Sequence, residues 1–140
     1  MSGIFAAIGI AEVSTAKSTP KLLLDSNVLI DVLLGEEAAL RWLESQSGEL
    51  AISVITWMEI LVGCKPEETI PVEQWLDRFE RLELGQSIAY EAVRCRRERG
   101  LKLPDAITLA TARIHGCVLA TRNTRDFPES LEGVLMPYVI

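Results

Sequence analysis

Short apolar runs alternate along this chain with longer amphipathic segments, and this alternation is the strongest constraint on its fold. The predicted β-strands are residues 21–24, 50–54, 82–84, 117–121 and 134–136. The predicted helices are residues 28–34, 36–46, 71–79, 88–99 and 104–115, with one further helix capped by Thr56. Buried strands separated by helices are typical of parallel sheets. The pattern therefore predicts an α/β domain of three layers, with a central, mostly parallel sheet flanked by helices.

Length indicates the number of domains, and net charge limits the kinds of partner that the protein can bind. A chain of 140 residues fits one compact domain. Its formal net charge of −6 argues against a protein that coats nucleic acids, because such proteins are usually basic. An enzyme that binds a polyanion through cations and a local basic patch remains compatible with this charge.

Residues 1–21 differ from the rest of the chain. Residues 4–11 are apolar but too few to span a bilayer, and no Lys or Arg precedes them as in a secretory signal. We expect residues 1–21 to be an N-terminal extension, and residues 22–140 to be the domain. The extension is either a dispensable arm or an amphipathic segment that docks on a partner.

The cysteines argue against a zinc site. Cys64, Cys95 and Cys117 are widely spaced, form no C-x-x-C pair, and are accompanied by a single histidine, His115. Reduced thiols are the simpler interpretation. They predict a cytoplasmic protein, and the shortness of the apolar segment at residues 4–11 predicts no membrane partner.

Acidic residues recur where α/β folds place their functional sites. Asp25 ends the first predicted strand, Glu59 opens the helix after the second, and Asn123 and Asp126 follow the strand at 117–121. Ligands of open sheets bind beyond the carboxyl ends of the strands. Asp105 lies instead in the first turn of its own helix, where the helix dipole favours a carboxylate. These positions predict a cluster of acids at one edge of the sheet.

Each acid also has a purely structural interpretation. Asp25 and Asp105 are compatible with roles as helix caps or first-turn acids, and Asn27 with a bond to the turn backbone. Glu59 stands in an apolar run, so we expect it to be buried and to need a partner. Grouped carboxylates repel one another unless a cation neutralises them. Oxygen ligands of this kind suit Mg²⁺ or Mn²⁺.

Four segments, in order, resemble the motifs of PIN domains. They are LLDSNVLID at 23–31, ISVITWMEI at 52–60, LPDAI at 103–107 followed by ATA at 110–112, and ATRNTRDF at 120–127. The chain is most similar to the VapC-type toxins of type II toxin–antitoxin systems, which are small PIN ribonucleases. The resemblance implies a three-layer PIN-like fold and a Mg-dependent endoribonuclease that hydrolyses RNA phosphodiester bonds.

The same resemblance implies roles for individual residues. The positions that match the catalytic, metal-binding acids are Asp25, Glu59 and Asp105. The fourth acid of the family corresponds either to Asn123 or to Asp126, and we favour Asp126. The polar residues expected to line the pocket are Asn27, Thr121 and Asn123.

The resemblance also implies partners: an RNA substrate, a second copy of the chain in a homodimer, and a cognate VapB-like antitoxin. The aromatic residues expected on helical segments are Trp57, Trp75, Phe79 and Tyr90. These rings belong either to the core or to an interface, where aromatic residues are favoured. An acidic pocket should also attract a basic side chain of the antitoxin, near Asp25 and Asp105.

A basic stretch precedes Asp105. Arginines and a lysine occur at positions 94, 96, 97, 99 and 102, with Glu98 as the one acid among them. The stretch is either a solvated helix face or a phosphate-binding surface. The residues that we predict to bind RNA are Arg96, Arg97, Arg99 and Arg122.

Two other functions compete with a ribonuclease. A haloacid-dehalogenase-type phosphohydrolase would use Asp25 as a nucleophile, but it needs a second aspartate where Asn27 stands. A catalytically inactive PIN-like module would only bind RNA or protein. The presence of all three principal acids favours an active enzyme.

Overall fold

The computed structural model describes residues 20–140. The N-terminal extension predicted at 1–21 therefore lies, apart from its last two residues, outside the described part of the chain, and the domain boundary at residue 22 stays a prediction.

Five parallel strands form the central sheet. They are β1 (Leu22–Leu24), β2 (Leu50–Ser53), β3 (Glu80–Leu82), β4 (Val118–Ala120) and β5 (Val134–Leu135). Their order across the sheet is β3-β2-β1-β4-β5, and every neighbouring pair is parallel. Among the described residues, the first strand in sequence is thus the middle one, which explains why Leu23 and Leu24 are fully buried. The prediction of a parallel sheet is confirmed.

Six α-helices of the described residues cover the two faces of this sheet. They are α1 (Ser26–Leu33), α2 (Glu37–Glu44), α3 (Val54–Val62), α4 (Thr69–Leu76), α5 (Gln86–Arg99) and α6 (Leu103–His115), with a short 3₁₀ turn (Pro66–Glu68) before α4. Successive strand residues point to opposite faces, so Leu23 packs in a core cluster with α5 and α6, whereas Leu22 and Leu24 pack in a second cluster with α1, α3 and α4. The three-layer arrangement is confirmed.

Two strands pass directly into helices, without a connecting loop. Asp25 follows β1 and caps α1, and Ser53 ends β2 and caps α3, where its Oγ accepts a hydrogen bond from the Ile55 amide at 3.1 Å. The prediction that Thr56 caps α3 is wrong, because the helix has already begun at Val54. Thr56 lies inside the helix, and its buried Oγ1 has no hydrogen-bond partner in the described chain.

Other boundaries shift by a few residues. The helix expected to open at Pro71 begins at Thr69 and ends at Leu76, and the following strand ends at Leu82. Both α5 and α6 end, as expected, at glycines with positive φ: Gly100 (69°) and Gly116 (66°). Between residues 20 and 140, no helix is long and apolar enough to cross a membrane.

Candidate active site at the carboxyl edge of the sheet

Asp25 is the most buried acid of the site, with 4% of its surface exposed. Its Oδ1 accepts a hydrogen bond from the Ser26 amide at 2.8 Å, and its Oδ2 accepts bonds from Thr121 Oγ1 at 2.7 Å and Asn27 Nδ2 at 3.2 Å. Burial raises the pKa of Asp25, and the three hydrogen bonds partly oppose that rise. The helix-cap interpretation is therefore correct, and the same bonds hold the carboxylate in one orientation at the end of β1.

Glu59 and Asp105 bring two more carboxylates to this edge. Burial raises the pKa of each, and repulsion from Asp25 raises both further. The charge of Asp105 also raises the pKa of Glu59. Coulombic effects of this kind act between carboxylates that lie near one another. The sheet therefore brings together three acids that are far apart in sequence.

The exposure of the Glu59 side chain differs from the prediction. We expected it to be buried within its apolar run, but its side chain is exposed. The helical spacing of α3 explains this: Thr56 and Ile60 face the interior, and Glu59 lies at the solvent-facing side of the helix. Among the acids of the cluster, Glu59 is thus the most accessible to a substrate.

Asp126 is the fourth acid at this edge. The pKa of Asp105 is raised mainly by burial, and the negative charges of Asp25 and Asp126 raise it further. Asp126 therefore lies near Asp105. Asn123 Nδ2 donates a hydrogen bond to Asp126 Oδ2 at 3.0 Å, and Asn123 Oδ1 accepts one from the Asp126 amide at 3.3 Å. Asn123 therefore holds the Asp126 carboxylate in place, and the choice of Asp126 as the fourth acid stays a prediction.

Thr121 and Asn27 connect these acids. Thr121 Oγ1, which donates to Asp25, accepts hydrogen bonds from Asn27 Nδ2 at 3.2 Å and from the Asn123 amide at 3.0 Å. Asn27 Oδ1 accepts a bond from the Arg122 amide at 3.1 Å. The end of β4 is thereby bonded to the start of α1, and two of the three predicted polar residues, Asn27 and Thr121, donate hydrogen bonds to Asp25.

The donor set fits a hard divalent cation. None of the four acids forms a salt bridge with any residue between 20 and 140, although Lys102 partly offsets the rise in the pKa of Asp105, which comes mainly from burial. Within the same range, no three acidic, histidine or cysteine side chains stand close enough together to enclose an ion. The oxygens form an open cluster with unbalanced negative charge. Mg²⁺ and Mn²⁺, which retain several waters, suit such an incomplete set of oxygen ligands.

Comparison with known proteins identifies the family. The profile of the PIN domain matches residues 22–129. The chain belongs to the PIN-domain family. The PIN fold accounts for the three layers, and membership in this family rules out the haloacid-dehalogenase interpretation.

Two relatives and one solved structure are similar to this chain over most of its length. The chain is 37% identical over 126 residues to "Ribonuclease VapC10" of Mycobacterium tuberculosis, covering 85% of this chain and 94% of that protein. It is 28% identical over 118 residues to "tRNA(fMet)-specific endonuclease VapC" of Shigella flexneri, covering 76% and 89%. A solved "Toxin-antitoxin complex from Klebsiella pneumoniae" contains a chain with 44% identity and a TM-score of 0.80, covering 85% of this chain and 99% of that chain.

The predicted RNA-binding arginines of this PIN domain are in different environments. Arg97 and Arg99 are exposed near the end of α5 and form no salt bridge with the described residues. Arg96 instead donates a hydrogen bond to the carbonyl of Leu101, and Arg122 pairs with Asp31 at 3.1 Å. Arg97 and Arg99 are therefore the members of the set that are available to bind phosphate.

The aromatic residues are divided between core and surface. Phe79 is buried, and Trp57 and Trp75 pack partly buried against the core cluster around Leu22 and Leu24. Tyr90 is 71% exposed on α5. Neither the core interpretation nor the interface interpretation therefore holds for all four rings.

Sequence reasoning missed two residues beside the site of this PIN domain, Asp31 and Tyr138. Asp31 lies one helical turn after Asn27 on α1. This i, i+4 spacing could have indicated that the two side chains lie on the same face of the helix. Tyr138 Oη donates to Asp31 Oδ2 at 2.8 Å across a separation of 107 residues. No local pattern of the sequence indicates such a contact.

Proposed function

We propose that this protein is the toxin of a toxin–antitoxin pair and acts as a metal-dependent endoribonuclease that cleaves RNA phosphodiester bonds. The observation that carries the proposal is the convergence of four carboxylates at the carboxyl edge of a PIN fold, none of them in a salt bridge with residues 20–140. Relatives named as ribonucleases support the same reaction. An inactive binding module would not need this concentration of repelling charge.

We propose Mg²⁺ or Mn²⁺ as the cofactor, held by the carboxylates of Asp25, Glu59, Asp105 and Asp126. Such an ion polarises a phosphate and promotes ionisation of water at neutral pH. Within the chain, Thr121 and Asn27 orient Asp25 through hydrogen bonds to Oδ2, and Asn123 orients Asp126. Glu59, the exposed acid, faces the side from which RNA would approach.

Arg97 and Arg99 are proposed to bind RNA backbone. Replacing both with glutamine should weaken RNA binding and flatten its salt dependence, because fewer counterions are released when fewer phosphates are neutralised. Arg96 is left unchanged, since its bond to the Leu101 carbonyl stabilises the end of α5. The measurement is RNA affinity at several salt concentrations, with metal affinity measured in parallel and expected to stay unchanged.

The matched control removes two positive charges elsewhere. Arg41→Gln with Arg78→Gln changes the net charge equally at exposed positions on α2 and after α4. An unchanged salt slope in the Arg97/Arg99 variant, or an equal change in the control, would make α5 a solvated helix face.

We further propose a VapB-like antitoxin as protein partner and a homodimer as the assembly. Tyr90 and Val93 support the homodimer, because they leave 71% and 45% of their surfaces exposed on α5. The four unneutralised acids support an antitoxin that inserts a basic side chain near Asp25 and Asp105. A location in the cytoplasm fits the three free cysteines of the described chain.

Light scattering at micromolar concentration should give the mass of a dimer. Tyr90→Glu should shift the equilibrium toward monomer by placing a charge in the apolar contact, whereas Ile70→Glu, at a residue 69% exposed on α4, serves as the control. Adding the small protein encoded beside this gene should abolish RNA cleavage. A monomeric wild type that stays fully active with that protein would contradict both proposals.

A further inference from the structure

Asp31, Arg122 and Tyr138 form a polar cluster behind the candidate active site. Asp31 Oδ2 accepts hydrogen bonds from Arg122 Nη1 at 3.1 Å and from Tyr138 Oη at 2.8 Å. The Arg122 guanidinium also lies over the Tyr138 ring, with its carbon 5.5 Å from the ring centroid. The side chains of Asp31 and Arg122 are only 15% and 32% exposed, so the ion pair is largely shielded from water.

This cluster is bonded directly to the site. The backbone amide of Arg122 donates to Asn27 Oδ1, and Asn27 Nδ2 donates to Asp25 Oδ2. Arg122 thus contacts α1 at two successive turns, through its amide at Asn27 and through its guanidinium at Asp31. If the side-chain amide of Asn27 were reversed, its Oδ1 would face the Asp25 carboxylate, and these two hydrogen-bond acceptors would repel each other. The position of Arg122 therefore determines how Asn27 supports Asp25.

Tyr138 comes from the C-terminal segment, beyond the matched PIN-domain residues 22–129. Its ring packs against Trp42 of α2 with centroids 6.1 Å apart. Burial raises the pKa of Tyr138, and its bond to Asp31 raises it further, so the hydroxyl remains a protonated donor at neutral pH. A solvent-exposed ion pair is weak, and a covering ring with a second donor on the same carboxylate strengthens it.

We infer that Tyr138 is a positioning residue of the active site: by holding Asp31 and covering Arg122, it keeps the Arg122 amide on Asn27 and so orients Asp25. Its effect on cleavage rests on the proposed ribonuclease function, whereas its effect on the Arg122–Asn27 bond does not. Small displacements of a site residue are costly for catalysis, because reacting groups need near-exact placement.

The test removes one hydroxyl. In Tyr138→Phe, hydrogen exchange of the Arg122 amide in the metal-free protein should accelerate, since its bond to Asn27 opens more often. The turnover number kcat should fall by about 10-fold with KM for RNA nearly unchanged, as expected when a positioning contact is lost. Ser47→Ala removes a hydroxyl from an exposed residue between α2 and β2 and should match the wild type in both measurements.

A second variant distinguishes positioning from general stability. Asp31→Asn should reproduce both effects, and the double variant with Tyr138→Phe should be no worse than the more damaging single variant, because the residues act through one contact. A lower Tm with unchanged amide exchange and unchanged kcat would overturn the inference, as would faster exchange without loss of kcat. A wild type that cleaves no RNA would overturn the proposed function alone, and the exchange measurement would still decide whether Tyr138 orients Asn27.

Discussion

Replacing Asp105 with asparagine is expected to reduce RNA cleavage on the order of 10²-fold or more, because it removes charge from the site where charge develops in the transition state. The change is nearly isosteric, and Asp105 is only half-buried, so the fold should persist. The measurement is cleavage of a defined RNA by purified protein. Asp77→Asn, which makes the same change at an exposed residue after α4, should cleave like the wild type.

The stability of the metal-free Asp105→Asn protein provides a second, independent readout. Burial, with repulsion from Asp25 and Asp126, raises the pKa of Asp105. A carboxylate whose pKa is raised on folding favours the folded state when protonated, and that contribution is lost as pH rises through the folded pKa. Neutral pH lies above the pKa of an unfolded aspartate, so the raised pKa of Asp105 destabilises the fold there, and the variant should have a Tm no lower than that of the wild type. Equal cleavage by variant and wild type would contradict the assignment of catalysis to this site.

Removing divalent metal is expected to abolish cleavage altogether. EDTA should stop the reaction, and Mg²⁺ or Mn²⁺ should restore it, because none of the four acids forms a salt bridge with a residue of the described chain. Ca²⁺ should bind but support turnover poorly, since its looser coordination positions the attacking water badly.

Thermal unfolding checks metal binding without reference to activity. A cation that binds only the folded protein raises its Tm, and the increase grows with cation concentration. Mn²⁺ should therefore raise the Tm of the wild type and raise that of Asp105→Asn much less. Full cleavage in chelator would contradict the metal-dependent mechanism, and an equal Tm increase in both proteins would place the ion elsewhere.

Fold class was predictable because it depends on local apolar patterning. Runs such as Leu22–Leu24 are too short for helices and too apolar for exposed strands, so they had to form buried strands. Boundaries were less predictable. Ser53 and Thr56 both have hydroxyls that can cap a helix, and only the end point of β2 decides that Ser53 does so.

The candidate acids were also predictable, since the positions of Asp25, Glu59 and Asp105 match ordered motifs of one family. Their environments were not. An apolar sequence around Glu59 predicted burial, but the side of α3 on which it lies is determined by how that helix packs on the sheet. Similarly, the sequence left the fourth acid open between Asn123 and Asp126, and only the structure shows that two hydrogen bonds join these residues.

By itself, then, the sequence determined the parallel α/β architecture and indicated three principal candidate acids, because both depend on periodicity and residue type over short stretches. Only the tertiary structure decided which side chains support those acids. Asp31 and Arg122 are 91 residues apart, and Asp31 and Tyr138 are 107 apart. Contacts over such separations depend on where β4 and the C-terminal segment pack against α1, which no local pattern specifies.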